Sequence, residues 1–92
     1  LRICKERGID VYFVFFPLNP ASASSVSPSF NQKVRDFLAD REKRFSRFRV
    51  VNEIYVGKRE SFADQDHLSL SGARDFSAQI VSRIQDERER LP

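Results

Sequence analysis

An α/β fold, in which helices alternate with the strands of a parallel sheet, is predicted for this chain by two observations. Segments of helical hydrophobic period alternate with short continuous apolar runs, in the order helix, strand, helix, strand, helix. The better-defined run, Val11-Tyr12-Phe13-Val14-Phe15-Phe16, is apolar on both faces, as a parallel strand covered above and below by helices must be. Consecutive parallel strands need right-handed crossovers, and ligands of such sheets bind beyond the carboxyl ends of the strands. The expected architecture is therefore a three-layer α/β/α sandwich, of which this chain holds two strands and about three helices.

Leu1-Arg2-Ile3-Cys4-Lys5-Glu6-Arg7-Gly8 reads as the last turns of a helix. Gly8 suits the left-handed position that closes it, and Lys5 and Arg7 complement the negative end of its dipole. A helix entered midway implies sequence before it, so residues 1–92 are expected to be the C-terminal portion of a single domain. Residues 9–16 form the first strand, which Pro17 and Pro20 end because proline cannot continue a central ladder. Residues 21–28, small and Ser-rich, read as a mobile loop. Ser29 followed by Gln32 has the form of a capping box. From there Phe30, Val34, Phe37, Leu38 and Phe45 recur at helical spacing, predicting a helix to about Phe45 with its Phe stripe in the core. Residues 48–55 make a shorter second strand, and residues 57–68 a looped stretch. A last helix is predicted from Ser69 to about Glu89, burying Ala73, Phe76, Ile80 and Ile84.

Composition narrows the function classes. The chain has 92 residues, 40% of them hydrophobic and nine of them Phe, which is enough for one domain at most. No apolar run approaches the ~18 residues of a membrane helix. The single cysteine, Cys4, rules out an internal disulfide framework and a multi-cysteine zinc site. With Leu1 and Ile3 as its apolar neighbours, it reads as a small structural side chain rather than a reactive thiol, and it does not indicate the compartment. The net charge of +3 is a weak basic bias. Arg41, Lys43, Arg44, Arg47 and Arg49 form the only candidate patch for nucleic acid. They alternate with acids, as solvated helix faces do, so no nucleic-acid partner is expected.

The most informative stretch is Asp64-Gln65-Asp66-His67, followed by Leu68-Ser69-Leu70-Ser71-Gly72-Ala73. It places the only histidine three residues after a carboxylate and just ahead of an amphipathic helix. An imidazole held by a carboxylate works as a general base, because its proton affinity lies near neutral pH and the carboxylate fixes its tautomer. Metal binding by Asp64, Asp66 and His67 is the weaker alternative, since near-adjacent residues cannot surround an ion alone and no second His or Cys cluster exists. No cofactor or metal is expected.

Asp64-x-x-His67, a cap at Ser69 and Gly72 in the first turn of a terminal helix resemble the last block of SGNH/GDSL-type hydrolases. Gly8-Ile9-Asp10-Val11-Tyr12-Phe13-Val14-Phe15-Phe16-Pro17 is similar to that superfamily's penultimate strand region. The form of residues 62–73 resembles the bacterial envelope branch, which includes alginate O-acetyltransferase-like proteins and the protein that D-alanylates teichoic acids. The resemblance implies a flavodoxin-like three-layer fold and esterase or O-acyltransferase chemistry on carbohydrate or cell-envelope esters, in an extracytoplasmic setting. His67 would be the general base of a Ser-His-Asp triad, Asp64 its orienting acid, and Gly72 would let the last helix pack closely. Asp66 has no role in the pattern beyond standing in for Asp64.

The superfamily's Gly-Asp-Ser nucleophile motif and Gly-x-Asn-Asp oxyanion motif do not occur in this chain. Asn19 lacks the glycine context and reads as a turn residue. Ser22, Ser24, Ser25, Ser27 and Ser29 sit in a loop rather than at the strained strand-to-helix elbow that exposes a nucleophile. The chain thus holds at most a base and its orienter, and turnover needs a serine from elsewhere. Its expected partners are the missing N-terminal half of the domain, or further copies of itself, and an acylated carbohydrate bound through the whole domain. The alternative is a non-catalytic α/β module in which Asp64 and His67 are structural. A receiver-type reading fails for want of a phosphoacceptor Asp at the end of the first strand.

Overall fold

The first helix ends where glycine allows it to. In the computed structural model, which describes residues 1–90, α1 (Arg2–Arg7) closes on Gly8 at φ 68° and ψ 33°. Gly8 N–H donates to the Lys5 carbonyl (3.3 Å) and Ile9 N–H to the Cys4 carbonyl (2.8 Å), the paired bonds of a Schellman closure. The Arg47 guanidinium fastens this corner from across the sheet, donating to the Gly8 carbonyl (2.8 Å) and the Asp10 carboxylate (3.2 Å).

Strands β1 (Val11–Phe13) and β2 (Phe48–Val50) pair in parallel, with Val11 opposite Phe48 and Phe13 opposite Val50. Both are shorter than the predicted 9–16 and 48–55, and at their carboxyl ends the cause is one side chain. Val51 N–H donates to the Phe13 carbonyl (2.9 Å), so a regular ladder would next send Phe15 N–H to the Val51 carbonyl. Phe15 N–H goes instead to Asn52 Oδ1 (2.7 Å), and Asn52 Nδ2 donates to the Phe15 carbonyl (2.8 Å). The carboxamide replaces a peptide group in the ladder, keeping both Phe15 backbone groups bonded at about 1 kcal/mol each. The displaced Val51 carbonyl accepts from the Arg83 guanidinium (3.4 Å). Parallel pairing resumes at Leu18 and Val56, one residue farther along the second segment. The two extended segments therefore run together beyond the formal strands.

The stretch expected as a mobile loop contains a short helix, α2 (Pro20–Ala23), capped by Asn19. Next, α3 (Pro28–Arg44) is capped by Ser27, two residues before the predicted Ser29. Ser27 Oγ accepts from Phe30 N–H (3.4 Å) and Pro28 occupies the first turn, where its missing N–H has no partner to lose. Gln32 does not reach back to the cap but donates to Asp36 one turn on (2.9 Å). The last helix, α4 (Leu70–Arg90), starts and ends close to its predicted bounds. Among the described residues the result is a mixed structure with a two-stranded parallel sheet and four α-helices, one more than expected because of α2. The single domain expected over 1–92 extends past the described residues by its last two positions.

The core is small. Leu38 of α3, Phe48 of β2 and Val51 are the buried apolar side chains. The Phe stripe expected there divides: Phe45 is half-buried, whereas Phe30 and Phe37 face outward, Phe37 lying under the Arg41 guanidinium (4.6 Å). Nor is the first strand covered on both faces, for Phe13 is exposed and Phe16 is 70% exposed, meeting Phe76 of α4 edge-on (4.9 Å). Ala73, Phe76, Ile80 and Ile84 share the half-buried face of α4 that their spacing predicts. The accessible surface is 7055 Å², against about 5,500 Å² for a compact monomer of this mass. The radius of gyration is 15.0 Å, against about 12 Å for a compact chain of this length.

Candidate functional site

The loop carrying Asp64 and His67 is a closed structure rather than a free excursion. Phe62 and Leu68 form an antiparallel bridge at its base, and Ala63 N–H donates to the His67 carbonyl (2.9 Å). Within it Asp64 organises the turn. Its Oδ1 accepts from the backbone N–H of Asp66 (2.9 Å) and of His67 (2.8 Å). Aspartate suits this place because its short carboxylate reaches amides two and three residues ahead.

The same carboxylate meets the imidazole, with His67 Nδ1 at 2.9 Å from Oδ1 and 3.1 Å from Oδ2. The Asp64 carboxyl is held below its ordinary range, first by the Asp66 amide, then by the His67 side chain, against a small opposing desolvation. An ionised carboxylate only accepts hydrogen bonds, so Nδ1 carries the proton and, in the neutral ring, Nε2 keeps a lone pair. Nε2 has no hydrogen-bond partner among the described residues. The predicted pair is thus brought together with a defined tautomer. Asp66 contributes its backbone N–H to the turn, and its carboxylate makes no contact with the imidazole.

Because the carboxyl is more acidic folded than unfolded, its contribution to the turn is complete above the unfolded value, about 3.9. It is lost as pH falls through the lower folded value. The amide resonances of Asp66 and His67 should accordingly shift together on acidification, with a common midpoint below that of an ordinary aspartate. A midpoint at or above the ordinary value would contradict this arrangement.

Behind the loop, α4 begins against backbone. Ser69 N–H donates to the Ser61 carbonyl (2.8 Å), and Ser69 Oγ accepts from Gly72 N–H (3.1 Å), capping the helix as predicted. A side chain at Gly72 would fall on the Ser61 carbonyl oxygen. Glycine allows the close approach, although its neighbour is the 3-10 turn Arg59–Ser61 rather than the histidine.

The loop following β1 lies alongside. Asn19 Nδ2 donates to the Asp64 carbonyl (3.3 Å), and Gln65 Nε2 donates to Ser22 Oγ (3.1 Å). These bonds bring the loop after β1 and the loop bearing His67 together. No described serine hydroxyl bonds to the imidazole, and Ser22, the serine tied to this loop, is bonded to Gln65. Sequence reasoning took Asn19 for a turn residue. Asn followed by Pro ahead of a helical turn is a recognisable cap signal, but its bond to Asp64 across 45 positions has no local signature.

The side chains of His67 and Asp64 are 77% and 61% exposed. A concavity of about 530 Å³ lies elsewhere, between residues 50–55 and Gln79, Ile80 and Arg83 of α4. Burial there pushes the Tyr55 hydroxyl above its ordinary range, partly opposed by Arg83. Three of the basic residues 41–49 take separate intramolecular partners, Arg44 with Asp40 (3.1 Å), Arg47 with Asp10 and Arg49 with the Phe48 carbonyl (3.0 Å). Among the described residues no group of three or more His, Cys, Asp or Glu is arranged to hold a metal ion, and no helix is long and apolar enough to cross a membrane. Comparison of the chain with protein-family models, with curated proteins and with solved structures returned no match.

Proposed function

We propose that this chain is the C-terminal part of an SGNH hydrolase-like domain and supplies the base and orienting acid of a Ser-His-Asp triad. The observation that carries the reading is the Asp64–His67 contact at 2.9 Å, which leaves Nε2 free and facing solvent beside the loop that follows β1. His67 Nε2 would take the proton of a serine hydroxyl supplied from outside this chain as that oxygen attacks an ester carbonyl. It would then return the proton to the leaving alkoxide. Asp64 stabilises the imidazolium between these steps without itself becoming protonated. The substrates are acyl esters of carbohydrate or cell-envelope polymers, with water or a second hydroxyl as acceptor.

The surface supports a larger parent domain of the three-layer kind. The excess of about 1,500 Å² over a compact monomer exceeds the ~800 Å² that one partner buries in a standard interface. Tyr12 and Val14 turn their backbone groups away from β2, and exposed Ile9, Phe13 and Phe16 flank that open edge. A further parallel strand with its covering helices would satisfy both features.

The test is covalent labelling of the complete domain with a fluorophosphonate, alongside acetate release from O-acetylated sugars. One labelled serine outside residues 1–92, dependent on His67, is the expected result. Absence of both labelling and acetate release would sink the catalytic reading. A structural role is the second reading, because Asp64 holds the amides of Asp66 and His67 whether or not the imidazole is present.

A further inference from the structure

The loop of residues 63–67 is exposed throughout, and beyond its Phe62/Leu68 base two side-chain bonds hold it to the rest of the molecule. One of them has a fixed sense. Asn19 Oδ1 accepts from Ala21 N–H (2.9 Å) in capping α2, which turns the amide nitrogen towards the Asp64 carbonyl (3.3 Å). The cap therefore orients the clamp: the carboxamide cannot flip without losing both bonds. The other tie, Gln65 to Ser22, leaves α2 one turn later, so both ties come from the same short segment.

We infer that Asn19 is a positioning residue, holding the Asp64 backbone so that the Asp64 carboxylate and His67 imidazole keep their registry while Nε2 stays free. The functional weight of this inference rests on the proposed role of His67 as base, but the clamp can be measured without any activity. Asp and Ser cap helices about as well as Asn, so Asn19→Asp and Asn19→Ser both preserve the α2 start. Asn19→Asp places a carboxylate oxygen against the Asp64 carbonyl where an N–H had been, and Asn19→Ser is too short to reach it.

The experiment uses the whole chain, with hydrogen exchange at the Asp66 and His67 amides and the ¹⁵N shifts of the His67 ring as readouts. Loss of the clamp should accelerate exchange at these amides about two- to tenfold, the worth of one net hydrogen bond. It should also move the ring from the Nδ1–H form towards a mixture of tautomers, while Val51 and Ala73 keep their protection. A residue that only caps α2 would leave loop exchange and tautomer unchanged in both variants, and that outcome overturns the inference. Should both variants lose Val51 and Ala73 protection as well, the unmodified chain decides: an Asn19 side-chain –NH₂ that exchanges as fast as a free carboxamide overturns the clamp. Loop loosening without a fall in acyl transfer by the complete domain would instead count against the catalytic reading and leave the clamp standing.

Discussion

His67→Ala should lower the turnover of the complete domain by about 10⁶-fold, the cost of removing the base from a triad in which the remaining groups still bind and polarise the ester. The same change should leave folding stability within about 0.5 kcal/mol, because the imidazole is 77% exposed and its single contact is at the surface. These two numbers separate the competing readings. A structural histidine would show the reverse, a fall in melting temperature with unchanged acyl transfer. Asp64→Asn is the sharper companion. Asn retains an oxygen for the two loop amides, yet its –NH₂ can face Nδ1 and select the wrong tautomer. Activity should fall by about 10²- to 10⁴-fold while the fold persists. Steady-state kinetics on an O-acetylated sugar, together with thermal unfolding of each variant, provide the check, and wild-type turnover in His67→Ala would eliminate the mechanism.

Gly72→Ala should destabilise the protein, although alanine is the better helix former. Propensity favours Ala over Gly by about 1 kcal/mol in a helix interior. Against this, the added methyl would fall on the Ser61 carbonyl oxygen and within 2.8 Å of the carbonyl carbon. These are backbone atoms already bonded to Ser69 N–H, so they cannot rotate aside. Relieving the overlap means lifting the start of α4, at about 3 kcal/mol. The clash wins by about 2 kcal/mol, which corresponds to a fall of roughly 8–16 °C in melting temperature for a domain of this size. Gly72→Val should be worse, adding bulk and losing propensity. A melting temperature that rises in Gly72→Ala would show that α4 does not begin against Ser61. Because Ser69 and Leu68 lead directly back to His67, the same substitution should also disturb the Asp64–His67 contact.

Local chemistry made much of this legible. Gly8 announced the end of α1, since only a residue free to take φ 68° closes a helix in that way. The four apolar residues spaced along α4 identified its inward face, and Asp64-x-x-His67 identified a carboxylate and an imidazole able to meet. What this reading missed was set partly by neighbouring residues and partly by the presence or absence of distant partners. Ser27 displaced Ser29 as the cap because Pro28 was available for the first turn. Phe30 and Phe37 have the spacing of core residues, but spacing fixes only a helix face, and no described element covers theirs.

The alternation of helices and strands, the parallel pairing class, the terminal-helix cap and the identity of the Asp/His pair are legible in the residues alone. These follow from periodicity, from glycine and proline stereochemistry, and from side-chain chemistry acting over a few residues. Long-range folding settled that Asn52 would interrupt the ladder, and that Gly72 faces the Ser61 carbonyl. It alone brought Asn19 to the Asp64 backbone. Each of these depends on two segments separated by up to 45 positions, and hydrogen-bond geometry between such segments exists only once the chain has brought them together.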